Sequence, residues 1–472
     1  MTDDLLRQLP SVDALLGRDE AAALVGRFGR DAVVAAIRAA VDETRRSILE
    51  SGPDAAAVSV APEEILTQAG ARLEIRFART LRRAVNATGI LMHSGLGRAM
   101  LSEDARAALD ETVQGFCTLA LDIDSGRRGQ RDAHVAGLLR ELTGAEAATI
   151  CNNNSAATVL VLNTLARGKE VIVSRGQLVE IGGSFRMPEV MSMSGAVMRE
   201  VGTTNKTHLR DYADAIGPET GAILRVHHSN YRILGFHSEP GIEELAELGR
   251  RHGIPVVDDI GSGALIDLKA YGLESEPMVR ASVAAGVDVA CFSGDKLIGG
   301  PQSGIIVGKA DIIARIKKNP LARAMRCGKL TLAAMEATLR LFLAPDKLEE
   351  RHPLYRMLSL KLDDLERRGQ AIVQALEGGL PANVKVGVED GEAQTGSGSV
   401  PVETIPSKVV ALRLGPGSGG PADLESLAKA LRRGRPAVFT RIHKDALLFD
   451  LRTIQPEEDA EIGAAIKTGV RS

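Results

Sequence analysis

Tryptophan is absent and aromatic residues make up only 3% of the 472-residue chain. Stacking platforms for unpaired bases are therefore scarce, and any contact with RNA must rest on other groups. Four cysteines, Cys117, Cys151, Cys291 and Cys327, lie far apart, in neither a CxxC pair nor a zinc-ligand spacing, so they read as reduced thiols of a cytosolic protein. No stretch of 18 uninterrupted apolar residues occurs, and the acidic start MTDDLLRQLP lacks a basic segment leading into an apolar run. Neither export nor a membrane is expected. The formal charge of -3 at pH 7 gives no overall electrostatic footprint for a polyanion, so a nucleic-acid partner would need a local basic face. What is present is an ordinary apolar fraction of 44% and an unusual 49 glycines, which suit tight turns and loops that approach a ligand closely. The length implies one large domain with one or two smaller ones.

Residues 1–83 read as a helical domain with a linker: Val33, Val34, Ile37, Val41 and Ile48 recur at helical spacings. The segment holds 12 Arg and Lys against 13 Asp and Glu, although Arg27, Arg30, Arg38, Arg45 and Arg46 could gather partly on one face; a solvated helix surface explains them equally. Gly52-Pro53 and the stretch to Pro62 mark a turn. Over 84–344, short β-branched runs (VIVS at 171–174, AILRV at 222–226, IPVVDD at 254–259, GVDVACF at 286–292) alternate with helical stretches. This predicts a mostly parallel sheet covered by helices, with ligands at the carboxyl ends of its strands. The remainder, 345–472, reads as a small α+β domain: a long helix, a strand at 407–414, and a hairpin in PAVFTRIHKDALLFDL turning near Lys444 and Asp445. Glycine- and serine-rich 396–399 and 415–420 read as loops.

Three polar segments follow apolar strands in the order one cofactor would require. In FSGDKLIGGPQSGIIVG (292–308), Lys296 stands at a strand end beside a glycine turn, offering an imine-forming amine, with Ser293 nearby for a phosphate. In VVDDIGSG (256–263), a carboxylate could keep a pyridine nitrogen protonated; Asp259 is the choice and Asp258 the competitor, since adjacent strand residues face opposite sides. CNNNSAATVLVLNTL (151–165) opens an apolar helix whose N-terminus suits a phosphate, with Asn154 and Ser155 as added donors, although simple N-capping explains them too. Together they point to a pyridoxal 5'-phosphate (PLP) enzyme. Asn230 or His227, in VHHSNYRILGF (226–236), could meet the cofactor's ring hydroxyl. Arg323 and Arg326, in LARAMRCGK (321–329), are expected three apart on a helix face, where they could bind an anion.

The set VNATGILMHSGLGR (85–98), CNNNSAAT (151–158), SRGQLVEIGGSFRMPEV (174–190), EVGTTNKT (200–207), VHHSNY, DIGSG (259–263) and FSGDKLIGGPQSGIIVG, in this order, resembles bacterial selenocysteine synthases, the L-seryl-tRNA(Sec) selenium transferases. The likeness extends to LLRQLPSVDALL at 5–16 and so covers nearly the whole chain. It implies an aspartate-aminotransferase-like, fold-type I PLP enzyme, homodecameric and cytoplasmic. The reaction implied converts seryl-tRNA(Sec) to selenocysteyl-tRNA(Sec) with selenophosphate, through elimination to a dehydroalanyl-tRNA and addition of selenium, with no metal required. Carried onto this sequence, Lys296 becomes the Schiff-base lysine with Asp295 beside it. Arg98, Arg323 and Arg326 become ligands of the selenium donor, Arg98 coming from a neighbouring subunit, and residues 1 to about 72 take the tRNA. Arg452 falls where relatives of the fold hold a substrate carboxylate, yet an ester-linked serine has none free.

The nearest rival is a PLP-dependent ammonia-lyase or eliminase acting on a small amino acid or amino-sugar phosphate. Such an enzyme has no need of the N-terminal helices. A tRNA-binding scaffold without catalysis would have no need of Lys296, Asp259 and Ser293.

Overall fold

A computed structural model describes residues 2–51, 58–181, 186–228, 230–231, 233–273, 276–397, 399–415 and 423–471. The turn expected at Gly52-Pro53 and most of the glycine-rich loop 415–420 lie outside the described residues. Contacts divide the chain into Met1–Arg83 and Ala84–Ser472.

Among the described residues the first unit contains five helices, α1 (Thr2–Gln8), α2 (Val12–Leu16), α3 (Asp19–Phe28), α4 (Arg30–Glu50) and α5 (Pro62–Phe77). Gly29, at φ 83°, ends α3 and starts α4, a left-handed conformation that glycine adopts without a Cβ clash. α5 begins with its proline in the first turn, where a missing N–H costs nothing. Val33, Ile37, Val41 and Ile48 of α4 are all 5% exposed or less, and the first three pack with Leu15, Ile65 and Leu73. Each fully buried side chain of this size contributes roughly 1.5–3 kcal/mol.

The second unit opens with β1 (Ala84–Asn86) and builds its large sheet from β2 (Ala147–Cys151), β3 (Glu170–Ser174), β4 (Val197–Val201), β5 (Thr220–Val226), β6 (Val256–Gly261), β7 (Val289–Ser293) and β8 (Gly304–Gly308). Their order is β2-β8-β7-β6-β5-β3-β4, parallel except for β8, which runs against both its neighbours. β7 and β8 are buried along their whole length, as strands covered on both faces must be, which is why they read as unbroken apolar runs.

Four antiparallel strands form the C-terminal sheet: β9 (Val384–Gly396), β10 (Ser399–Leu414), β12 (Arg441–His443) and β13 (Ala446–Asp450), in the order β12-β13-β10-β9. The hairpin turns at Lys444 and Asp445, both at positive φ (47° and 58°), a two-residue reversal that matches the strand twist. β11 (Ala437–Phe439) leaves that hairpin and pairs in parallel with β1. Two expectations change here. Residues 84–92, read as the start of the catalytic domain, are hydrogen-bonded into the C-terminal sheets, through β1 and through Leu91 and Met92 to the carbonyls of Gln394 and Thr395 at 2.8 Å. The long helix expected after 345 is broken into Leu348–Arg351, Pro353–Ser359 and Leu362–Leu376. His352 is held extended before Pro353, because the proline ring clashes with a helical predecessor.

Candidate active site

β6, β7 and the helix α8 (Asn154–Ala166) converge at the carboxyl end of the large sheet. Asp258 and Asp259 are both buried, 0% and 4% exposed, and the strand's alternation sends them to opposite faces. Asp258 accepts from Ser282 Oγ at 2.6 Å and Arg225 Nη1 at 3.1 Å, a structural pairing. Asp259 accepts from Asn154 Nδ2 at 2.8 Å and Thr158 Oγ1 at 2.9 Å. The cap of α8 is Asn153, whose Oδ1 accepts from the Ala156 N–H at 2.8 Å. Asn154 is thereby released from capping and serves Asp259, and Thr158 joins it one turn on, at the spacing that shares a helix face.

Lys296 is only 5% exposed, and its amine makes no hydrogen bond or ion pair among the described residues. Burial lowers its pKa, Arg98 lowers it further, and Asp259, Asp295 and Glu276 oppose them. The balance is thereby shifted toward the neutral, nucleophilic amine. Burial raises the Asp259 carboxyl, against the pull of its two hydrogen bonds and of Lys296. Arg98 Nη1 meets Asp295 Oδ2 at 2.8 Å, from a backbone at φ 61°. A non-glycine residue in that region is uncommon and is found where surrounding structure enforces it. Arg98 thus lies beside Asp295 of its own chain.

The remaining predicted residues divide. Ser293 is buried at the end of β7, and its hydroxyl, like that of Ser155 in the first turn of α8, has no hydrogen bond among the described residues. His227 donates its backbone N–H to Asp259 O at 2.9 Å, and its Nε2 lies 3.8 Å from Glu276 Oε2. Asn230 donates to Glu180 O at 2.8 Å and leaves Oδ1 buried without a partner, as Asn154 does with its own. Arg323 ends the helix Pro320–Ala324 and Arg326 lies beyond it, in a backbone bridge to Cys151. They do not share a helix face as expected, because the helix stops after Ala324. They are nonetheless neighbours, and Arg131, Arg323 and Arg128 together depress the pKa of Arg326. Arg131, Arg323 and Arg326 line a cleft of about 480 Å³ with Lys317 and Asn319. Arg452 is structural: its guanidinium donates to the carbonyls of Met357, Leu360 and Pro406.

Sequence reasoning missed Thr158, Asn153, Arg128, Arg131 and Glu276. Only Thr158 carried a readable signal, its i+4 spacing from Asn154.

These residues suit PLP. A buried carboxylate fixed by two donors would face a protonated ring nitrogen, an unpartnered buried amine would form the imine, and two free hydroxyls beside a helix N-terminus would take a phosphate.

A family profile described as L-seryl-tRNA selenium transferase matches residues 84–455, and one described as the selenocysteine synthase N terminal matches 6–45. The L-seryl-tRNA(Sec) selenium transferase of Alkaliphilus metalliredigens is 47% identical over 468 residues, 98% of each chain. That of Moorella thermoacetica is 47% identical over 466 residues, covering 98% of this chain and 96% of the relative. Among solved structures, a D-glucosaminate-6-phosphate ammonia-lyase aligns with a TM-score of 0.57 at 20% identity, over 82% of this chain and 96% of its own, and shares the fold. That fold is the fold-type I architecture expected from the sequence, and the chain belongs to the L-seryl-tRNA selenium transferase family.

Proposed function

We propose that this protein is a PLP-dependent enzyme that converts seryl-tRNA(Sec) to selenocysteyl-tRNA(Sec) with selenophosphate. The observation that carries the reading is the buried, unpartnered Lys296 beside an Asp259 fixed by Asn154 and Thr158, in a chain matched by the family profile.

When bound, PLP supplies the electron sink that makes the seryl α-proton removable. Lys296 would hold the cofactor and, as a free amine, would take that proton, a role its lowered pKa favours. Asp259 keeps the ring nitrogen protonated. Ser293 and Ser155 hold the phosphate at the start of α8, and Asn230 or His227 meets the ring hydroxyl. Loss of the α-proton and the serine hydroxyl as water would leave a dehydroalanyl-tRNA; the selenium of selenophosphate would then bond to Cβ with a proton to Cα, and water would cleave the Se–P bond to release phosphate. Arg98, Arg323 and Arg326 hold the anionic donor, since a guanidinium fork matches phosphate oxygens, and Asp295 orients Arg98.

The N-terminal helices take the tRNA. Arg30, Arg38 and Arg46 are exposed with no ion pair among the described residues, whereas Arg27 pairs with Glu74 and Arg45 with Asp42. Among the described residues no helix is long and apolar enough to cross a membrane. A tRNA substrate supports work in the cytoplasm, and the family resemblance supports a homodecamer.

Purified holoenzyme mixed with seryl-tRNA(Sec), and separately with free serine, tests the reading. A change in the cofactor spectrum, followed by selenocysteyl-tRNA on adding selenophosphate, is expected with the charged tRNA alone. Turnover of free small amines without response to seryl-tRNA would mean an ammonia-lyase or eliminase instead.

A further inference from the structure

Past the end of β5, His228, His237 and Glu239 bring their ligand atoms within 4.8 Å of one another, and no step of the proposed reaction uses them. His228 Nε2 lies 2.8 Å from the carbonyl oxygen of Gly176. A carbonyl only accepts, so Nε2 carries the proton and the neutral ring presents a bare lone pair at Nδ1. That lone pair faces Glu239 Oε2 at 3.8 Å. Two acceptors set against each other at this distance call for a cation between them, either a proton or a metal ion.

The surroundings have the form of a metal site's outer layer, in which a ligating histidine donates its other N–H to a backbone carbonyl and a ligating carboxylate accepts a further hydrogen bond. Gln177 provides the latter, donating Nε2 to Glu239 Oε2 at 3.1 Å. Gln177 is itself 2% exposed and anchored by the Val226 N–H at 3.0 Å. The third group, His237, is exposed, and its ring lies 6.0 Å from that of His228. Tetrahedral zinc with bonds of about 2.0–2.1 Å needs ligand atoms about 3.3 Å apart. A rotation of the His237 side chain closes that gap, while the half-buried His228 and Glu239 need little movement.

We propose that His228, His237 and Glu239 bind one divalent transition-metal cation of the zinc class, with water at the open position. Two imidazoles and one carboxylate select a borderline ion over magnesium or calcium, which prefer all-oxygen shells. The ion would tie both ends of the segment 228–239, which carries Asn230 and Tyr231, to the turn Arg175–Gln177. Tyr231 already donates its hydroxyl to Gly176 O.

The test is calorimetric titration of zinc alone into chelator-treated, full-length holoenzyme, compared with His237→Ala and Glu239→Gln. His237 is on the surface, so its variant keeps the fold, and Glu239→Gln is nearly isosteric. One zinc per chain is expected, with affinity lower by about 100-fold in each variant. Cobalt(II) in place of zinc should give visible bands of a nitrogen- and oxygen-ligated ion. Unchanged zinc affinity in both variants, no stoichiometric binding by the wild type, or a thiolate-to-cobalt band marking a cysteine site would overturn the proposal.

Discussion

Asn154 reaches Asp259 across 105 residues of sequence, donating Nδ2 to Oδ1 at 2.8 Å, and this bond links the first turn of α8 to the end of β6. The same turn offers the free backbone N–H groups that suit a phosphate. One short helix segment therefore sets both the phosphate end and the carboxylate that would serve the ring nitrogen. Had Asn154 been the cap, the carboxylate would have kept only Thr158.

The two adjacent aspartates should separate cleanly on mutation. Asp259→Asn is expected to fold and to lose on the order of 100-fold or more in kcat, as a preorganised electrostatic partner is removed. Asp258→Asn leaves Arg225, which is 16% exposed, without its carboxylate. It should cost roughly 3 kcal/mol of stability while the folded fraction keeps its activity per site. Urea unfolding beside steady-state kinetics checks both; a destabilised Asp259→Asn with normal kcat would reverse the assignment.

Arg98 acts on Lys296 through its charge, second only to burial in lowering that amine's pKa. Arg98→Ala should therefore raise the Lys296 pKa, so that more alkaline solution is needed to supply neutral amine. The rate at which the apo-protein captures PLP, followed by its absorbance against pH, should shift its acid limb upward. An unmoved limb would mean that the Arg98–Asp295 pair is felt by the anion alone.

Arg326 is crowded by Arg131, Arg323 and Arg128, a concentration of like charge that an anion relieves. Removing both in Arg323→Ala/Arg326→Ala should reduce kcat/KM for selenophosphate by about 10- to 100-fold, the worth of one or two charge-assisted hydrogen bonds. The seryl-tRNA-induced change in the cofactor spectrum should persist. Loss of that change as well would place these arginines on the tRNA.

Much of this was legible because the chemistry sits where strands end. The β-branched runs located β3, β5, β6 and β7 to within three residues at each end, and the polar residues at or just past the ends of β6 and β7 include Asp259 and Lys296. Alternation along β6 narrowed the aspartates to one per face but could not say which face met α8; that depended on Asn153 taking the cap. The pairing of β1 with β11 joins residues over 350 apart in sequence, and no local pattern announces a contact of that range. Arg128 and Arg131 were missed for the same reason, since they join Arg326 only through tertiary structure.

The loop carrying Lys296 also has an acid-sensitive support. His352 is 1% exposed and its Nε2 lies 2.8 Å from Ile298 O, against Gly299, where an added Cβ would collide with the imidazole ring. Burial lowers the pKa of His352 from 6.5 to about 4. The unfolded chain thus binds a proton at this residue before the folded chain does. The resulting stability is fully present above pH 6.5 and is lost as the pH falls through about 4. A difference of this size corresponds to about 3 kcal/mol. His352→Gln keeps a donor for the Ile298 carbonyl and carries no titratable ring, so its unfolding free energy should fall less between pH 6.5 and 4 than the wild type's. Parallel denaturant curves across that range decide it, and equal slopes would show that the imidazole escapes to water before it is protonated.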